Sequence, residues 1–106
     1  MTITELNQAL KTIGLPVAYH HFTNPPTPPY LVYLFSSSAD MMADNQNYAE
    51  ISNFQVELYN VKKDLITEKR VKDKLKELEL PYTKTETFIE SEGLFQVLYL
   101  FQMIGG

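Results

Sequence analysis

Two adjacent histidines, His20 and His21, have the most obvious capacity for acid–base or metal chemistry in this sequence. Imidazole readily gains and loses a proton near neutral pH and is the commonest metal ligand. The pair falls in residues 17–22, a segment whose composition predicts a short strand. Because neighbouring residues of a strand point to opposite faces, the two rings are expected to diverge and to form no joint site.

Paired carboxylates occur at two further places. Asp40 and Asp44 flank two methionines, and Glu90 and Glu92 bracket a serine. Two convergent carboxylates can catalyse hydrolysis or hold a metal ion. No His or basic residue accompanies Asp40 and Asp44 nearby, and short acidic side chains commonly bond their own backbone in turns. Both pairs are therefore predicted to form turns.

Signatures of nucleophilic, nucleotide-binding and thiol chemistry are missing from the sequence. There is no Cys, which excludes disulfides and thiolate metal sites. No Gly-x-Ser-x-Gly or helical Ser-x-x-Lys pattern marks a nucleophile. Two of the four glycines are Gly105 and Gly106, so no Gly-rich loop can wrap a phosphate. We expect no catalytic residue, no cofactor and no bound metal.

Size and charge reduce the number of protein classes that fit the sequence. The chain has 106 residues, of which 44% are hydrophobic, and this suits one domain with one core. The net charge of −4 argues against the electrostatic attraction that supplies most non-specific nucleic-acid affinity. Seven of the nine Lys and Arg residues lie between Lys62 and Lys76, where Asp64, Glu68 and Asp73 are interleaved. Opposite charges at helical spacing pair with each other, so a solvated helix face is expected there.

Targeting signals are not evident either. The first five residues include an acid and no basic flank, unlike a secretory signal. The apolar stretches are too short to span a bilayer. We expect synthesis in the cytoplasm and no association with a membrane.

Hydrophobic periodicity predicts two helices. Apolar residues at intervals of three and four indicate a helix over residues 3–13, and Thr2 with Glu5 fits a capping box at its start. A second helix is predicted over residues 65–78, with Asp64 as its N-cap. These two helices are expected to hold in place the strands and the side chains that the strands expose.

Strand patterns occupy most of the remaining chain. The predicted strands are 17–22, 30–35, 47–59, 82–90 and 94–104. Four prolines within residues 24–29 exclude a regular ladder between the first two. In the last strand five large apolar residues share one face, namely Phe95, Val97, Tyr99, Phe101 and Met103.

The order of elements predicts a single α+β domain over residues 1–106. We expect a four-stranded mixed or antiparallel sheet with both helices on one face. A protruding, hairpin-like arm is predicted at about residues 36–47, and residues 105–106 are expected to form a flexible end. Such a sheet has open edges that suit pairing with copies of the same chain.

Several stretches resemble a family of small proteins from long-tailed phages and prophages. The resemblance covers most of the chain from the proline segment onward. It is carried by Pro28-Pro29-Tyr30-Leu31-Val32-Tyr33-Leu34, Ser38-Ala39-Asp40-Met41-Met42-Ala43-Asp44, Tyr48, Phe54-Gln55-Val56-Glu57-Leu58-Tyr59, Lys63-Asp64, Tyr82, Glu90-Ser91-Glu92 and Phe95-Gln96-Val97-Leu98-Tyr99. The family members resembled are tail terminator, or tail completion, proteins.

The resemblance implies a virion component that assembles in the bacterial cytoplasm. Its subunits are expected to form a ring, usually of six, that caps the tail tube and joins it to the head connector. The implied partners are further copies of the chain, the major tail tube protein and a head–tail connector protein, and DNA would pass through the ring without specific binding. The candidate contact residues lie in the arm and the basic segment: Asp40, Met41, Met42, Asp44, Lys62, Lys63 and Arg70.

Two other functions remain open on the sequence. Another connector ring, such as a head-closure protein, would share the same physical features. A small enzyme or ligand-binding regulator with a ferredoxin-like sheet would instead need a concave pocket with convergent polar groups, and no such set is evident.

Overall fold

The computed structural model describes residues 1–38, 41–43, 46–49 and 51–104 and has the predicted α+β class. The predicted flexible end at 105–106 lies outside the described residues. The elements in chain order are α1 (Ile3–Lys11), β1 (Val17–Tyr19), β2 (Tyr30–Ser38), β3 (Met41–Ala43), β4 (Gln46–Ala49), β5 (Ile51–Asn60), α2 (Leu65–Glu77), β6 (Tyr82–Ile89) and β7 (Leu94–Ile104).

The main sheet has five strands in the order β1-β2-β5-β7-β6, so the prediction of four strands was wrong. The additional member is β1, which pairs in parallel with β2, whereas all other neighbours are antiparallel. The Leu31 amide donates to the Pro16 carbonyl oxygen, and the His20 amide donates to the Tyr33 carbonyl oxygen, both at 2.8 Å. A strand is predicted over residues 17–22, but its membership of this sheet depends on a parallel pairing with β2 across the proline segment, which no local pattern shows.

Both helices begin at the caps that the sequence predicts. The Thr2 hydroxyl accepts from the Glu5 amide at 3.2 Å, and the Glu5 carboxylate accepts from the Thr2 amide at 3.0 Å. At α2 the Asp64 carboxylate accepts from the amides of Ile66 and Thr67. These bonds satisfy backbone donors that have no partner within the helix.

One core joins the two helices to the same face of the sheet, as predicted. Alternate residues of β5 and β7 point towards the helices, because side chains of a strand alternate between faces. The core residues are Leu6, Leu10, Ile13, Leu31, Tyr33, Phe54, Val56, Leu58, Val71, Leu75, Leu80, Val97, Tyr99, Phe101 and Met103. We call this side of the sheet the helix face and the opposite side the open face.

The predicted arm is a continuation of the β2–β5 hairpin. Ser38 pairs with Ser52, and beyond them Met41 pairs with Ala49 at the same offset. Residues 36–38, at the start of the predicted arm, belong to β2, in which Ser37 and Ser38 pair with β5 after a register shift between Phe35 and Ser37. The arm therefore shares its base with the centre of the main sheet.

The proline segment returns the chain across the open face. The ring of Phe22 contacts the ring of Tyr30 edge-on at 5.3 Å between centroids, and Tyr30 stacks on Tyr59 at 5.1 Å. Tyr30 and Val32 are both buried although they point away from the helices. The peptide bond between Pro28 and Pro29 is cis.

Candidate interaction surfaces

A four-residue charge cluster joins the start of α2 to β6. The Glu68 carboxylate lies 2.8 Å from the Lys63 ammonium and 2.6 Å from the Lys84 ammonium. Lys63 also pairs with Glu86. Only 5% of the Glu68 side chain is exposed, whereas its two lysine partners are about 40% exposed. The buried carboxylate of Glu68 is thus paired with two lysine ammonium groups whose side chains are partly exposed to solvent.

The cluster changes the acidity of its members. Burial by itself would raise the pKa of Glu68, but the hydrogen bonds from Lys63 and Lys84 outweigh burial and hold the pKa below its ordinary value. Hydrogen bonds to Glu68 and then to Glu86 raise the pKa of Lys63. Both shifts favour the charged forms of Glu68 and Lys63, so the contact between them is suited to structural pairing and not to proton transfer.

Glu68 departs from the expectation of a solvated charged face on α2. Other charged residues of α2 behave as predicted, since Lys69 pairs with Asp73 and Lys74 pairs with Glu77 along the helix. Glu68 instead lies three positions before Val71, on the same side of the helix as the core. The three-residue spacing between Glu68 and the apolar Val71 is the feature of the sequence that could have indicated that Glu68 is buried.

The structure separates the predicted contact residues into three groups. Lys62 is exposed, as are Lys63 and Arg70, but Lys63 belongs to the charge cluster and the Arg70 guanidinium donates to the Ile13 carbonyl oxygen. Met41 and Met42 lie on β3 of the arm, opposite Ala49 and Asn47 of β4. Asp40 and Asp44 lie outside the described residues.

The two histidines do not diverge as predicted. Strand β1 ends at Tyr19, and His20 adopts a left-handed backbone conformation with φ of 69°. The alternation rule therefore no longer applies, and the rings of His20 and His21 meet edge-on at 5.5 Å between centroids. Both residues are exposed. Across residues 1–38, 41–43, 46–49 and 51–104, no group of three or more His, Cys, Asp or Glu residues is arranged to hold a metal ion.

A hydrogen-bonded polar row crosses the open face. The Glu57 carboxylate accepts from the Gln55 amide at 2.6 Å and from the Tyr59 hydroxyl at 2.9 Å. The Gln96 amide donates to the Tyr59 oxygen at 2.8 Å. Burial, followed by the bond to Glu57, raises the pKa of the Tyr59 phenol, which stays a donor. The row fixes a partly exposed carboxylate in one orientation.

An open groove of about 720 Å³ lies beside the end of β7. Strand β7 continues past the start of β6, because Tyr82 pairs with Phe101 while residues 102–104 extend further. The groove is lined by Ser36, Ser37, Asn53, Phe54, Pro81, Tyr82, Thr83, Leu100, Phe101, Gln102 and Ile104. None of these lining residues is His, Asp, Glu, Lys or Arg, so the groove offers no carboxylate, imidazole or amine for acid–base chemistry.

The opposite end of the domain exposes large apolar side chains. Val61, Leu65 and Ile66, at the turn into α2, are 59%, 68% and 77% exposed. At the same end Phe88 of β6 contacts Phe95 of β7 edge-on at 4.9 Å and is 47% exposed. Adjacent exposed residues of this kind are typical of surfaces that become covered in an assembly.

Strand β6 forms an entire outer edge of the main sheet. Its residues pair with β7 in one unbroken register from Tyr82 with Phe101 to Ile89 with Leu94. The six residues between Tyr82 and Ile89 are all exposed. The sequence predicted this strand but not its position at an edge.

The fold has a counterpart among solved structures. No protein-family model matches the sequence, and no curated protein matches it. The chain is similar to one from the virion of a native gene transfer agent particle, with a TM-score of 0.62. The superposition covers 91% of this chain and 82% of the other, at 13% sequence identity. The two chains share a fold. Within the described residues, no helix has the length and apolar character needed to cross a bilayer.

Proposed function

We propose that this protein is a structural, non-catalytic subunit of a phage-like virion, and specifically a tail terminator that caps the tail tube and joins it to the head connector. The observation that carries the proposal is the near-complete fold similarity to a chain of a gene transfer agent virion. The terminator role within a virion rests on the sequence resemblance to tail completion proteins.

The surfaces described above support an assembly role. Exposed apolar residues gather at one end, where Leu65 and Ile66 begin α2, and the arm extends the β2–β5 hairpin at the other. A subunit with contact surfaces at opposite ends can bind a different protein with each. The tail tube protein and the head connector are the proposed partners, and neighbouring copies in a ring of six are the third.

The charge distribution suits a ring through which DNA passes. The net charge is −4, and three of the seven cations in the basic segment, Lys63, Lys69 and Lys74, are paired with acids of the same chain. Paired cations neutralise few phosphates and the net negative charge repels DNA, so non-specific retention of DNA is weak. Of the predicted contact residues in this segment, Lys62 is the one we propose for partner contact, and Asp40, Met41, Met42 and Asp44 are proposed for the arm.

The test is deletion of the gene from the parent phage, with a complemented deletion as control, followed by negative-stain microscopy of the particles. Overlong or ragged tails without heads are expected, because nothing stops polymerisation of the tube. Tails of normal length that fail to join heads would replace the terminator role with head closure. Normal infectious particles would overturn the proposal altogether.

A further inference from the structure

Of the features by which proteins normally protect a sheet edge, β6 has charged side chains, Lys84 and Glu86, but within the described residues no proline, bulge or covering strand. Among the described residues β7 is its only neighbouring strand, and the register between them contains no bulge. There is no proline within Tyr82–Ile89, and residues 83–88 are exposed. A long, regular and uncovered edge presents backbone donors and acceptors on which another strand can add.

The sequence of β6 is chemically symmetric about Thr85. It reads Tyr82-Thr83-Lys84-Thr85-Glu86-Thr87-Phe88, with aromatic residues at both ends and opposite charges on either side of the centre. Side chains alternate along the strand, so the aromatic and charged residues share the helix face and the three threonines share the open face. Such a strand is complementary to an antiparallel copy of itself.

We propose that β6 pairs with β6 of a second copy, antiparallel and about a two-fold axis at Thr85. In this register Lys84 lies opposite Glu86 of the second copy and Tyr82 lies opposite Phe88. Thr83 lies opposite Thr87, and Thr85 lies opposite its own counterpart. The pairing joins two five-stranded sheets into one of ten strands, with the helices of both copies on the same face.

Charge selects this register over its neighbours. An axis at Lys84 would place two lysines directly opposite each other, and an axis at Glu86 would place two carboxylates opposite each other. Like charges directly opposite in a ladder are destabilising, whereas opposite charges and aromatic pairs stabilise it. The side chains of Lys84 and Glu86 are 39% and 38% exposed, so both can reach across the new ladder from the charge cluster.

The inference needs only β6 and does not rest on the proposed function. It concerns the protein outside a ring. In a two-fold pair both copies use the same surface, so the assembly is complete with two copies. A ring contact is heterologous and is therefore a different interface.

Single cysteines test the register directly, because the native chain has none. Residues directly opposite in an antiparallel pair have Cβ atoms about 4.5–5.5 Å apart, which is near disulfide distance. Oxidised Thr85→Cys should give a covalent dimer on non-reducing gels. Thr83→Cys and Thr87→Cys should each remain monomeric alone but crosslink when mixed. Efficient crosslinking of Thr83→Cys alone, or none of Thr85→Cys, would overturn the proposal.

A second variant tests association without a crosslink. Thr85→Lys places two ammonium groups at the axis and should weaken self-association at least tenfold by sedimentation. Thr23→Lys, which adds the same charge at an exposed position just before the proline segment, is the matched control and should associate as the native chain does. Circular dichroism checks that both variants fold. A native chain that sediments at its monomer mass of 12.2 kDa up to millimolar concentration, or equal association of both variants, contradicts the pairing.

Discussion

The phenol of Tyr99 donates a hydrogen bond to the main-chain carbonyl oxygen of Glu68 at 3.2 Å. Tyr99 is fully buried at the centre of β7, and burial, followed by the nearby charge of Glu68, raises the pKa of the phenol so that it stays protonated. The carboxylate of the same glutamate binds Lys63 and Lys84. Glu68 therefore fastens α2 to the sheet through both its backbone and its side chain.

Replacing Tyr99 by Phe should lower the free energy of unfolding by about 1 kcal/mol, because a buried carbonyl oxygen loses its donor while the packing of the ring is kept. Urea denaturation measures the change. Tyr82→Phe is the control, since the half-buried ring of Tyr82 meets Tyr99 edge-on at 5.5 Å and that contact survives the substitution. Equal losses in the two variants would show that the bond to Glu68 contributes nothing.

Glu68→Gln should cost about 1–3 kcal/mol at neutral pH, because the neutral amide removes the negative partner from two ammonium–carboxylate hydrogen bonds. The native pKa of Glu68 lies below its ordinary value of 4.5, so its contribution is fully present above that pH. As the pH falls through 4.5 the unfolded chain binds the proton first, and the contribution is lost by the time the native carboxylate is protonated.

Denaturation curves at neutral pH and at about pH 3 should therefore differ less in Glu68→Gln than in the native protein. Glu77→Gln is the control, because Glu77 lies on the exposed side of α2 and pairs only along the helix with Lys74. A native-like pH dependence in Glu68→Gln would contradict the assignment.

Two leucines of α2 form a matched pair for the core. Leu75 is fully buried, and its replacement by Ala should cost about 2–5 kcal/mol through lost burial and the cavity that remains. Leu65 is 68% exposed, and the same substitution there should change stability by less than about 0.5 kcal/mol. Thermal unfolding of both variants measures the difference, and similar values would contradict the packing described for α2.

Asp64→Ala should destabilise the protein by about 1 kcal/mol, because it removes the acceptor for the amides of Ile66 and Thr67. Asp64→Asn keeps an acceptor oxygen at the cap and should retain most of the stability. Chemical denaturation at neutral pH compares the two. If Asn is no better than Ala, the stabilisation comes from charge and not from capping.

The arm should be dispensable for folding and required for assembly. Replacing residues 39–51 by Asn-Gly joins the paired residues Ser38 and Ser52 through a two-residue turn and leaves every core residue named above in place, so the melting temperature should stay close to that of the native chain. The same variant should fail to restore infectious particles in the deletion strain. Full complementation would remove the arm from the proposed contacts with tube or connector.

Local signals explain which parts of the fold were predictable. A few adjacent residues determine the helix caps at Thr2 and Asp64 and the alternation along β7. The structure confirms all three features. Glu68 was misjudged because its partners Lys63 and Lys84 come from outside α2. A pattern along one helix does not reveal which distant cations will reach it.

The edges of the sheet depend on information that no single segment carries. Residues 82–90 were predicted as a Thr-rich strand, but their position at an edge follows from the strand order around β7. Likewise, β1 belongs to the sheet because it pairs in parallel with β2, and the proline segment separates these two strands in the chain. The symmetry of β6 about Thr85 was visible in the sequence from the start and acquired meaning only once the strand was known to be an edge.

The register shifts twice along this hairpin, between Phe35 and Ser37 in β2 and between Met41 and Met42 in the arm. Each residue pair added to a regular antiparallel hairpin lengthens it by about 3.4 Å and turns the outermost side chains to the other face. A bulge of one residue bends the ladder and re-aims the side chains beyond it. Insertions that include a bulge can therefore change the length of such an arm and still keep the same face towards a partner, while the sheet at its base stays the same.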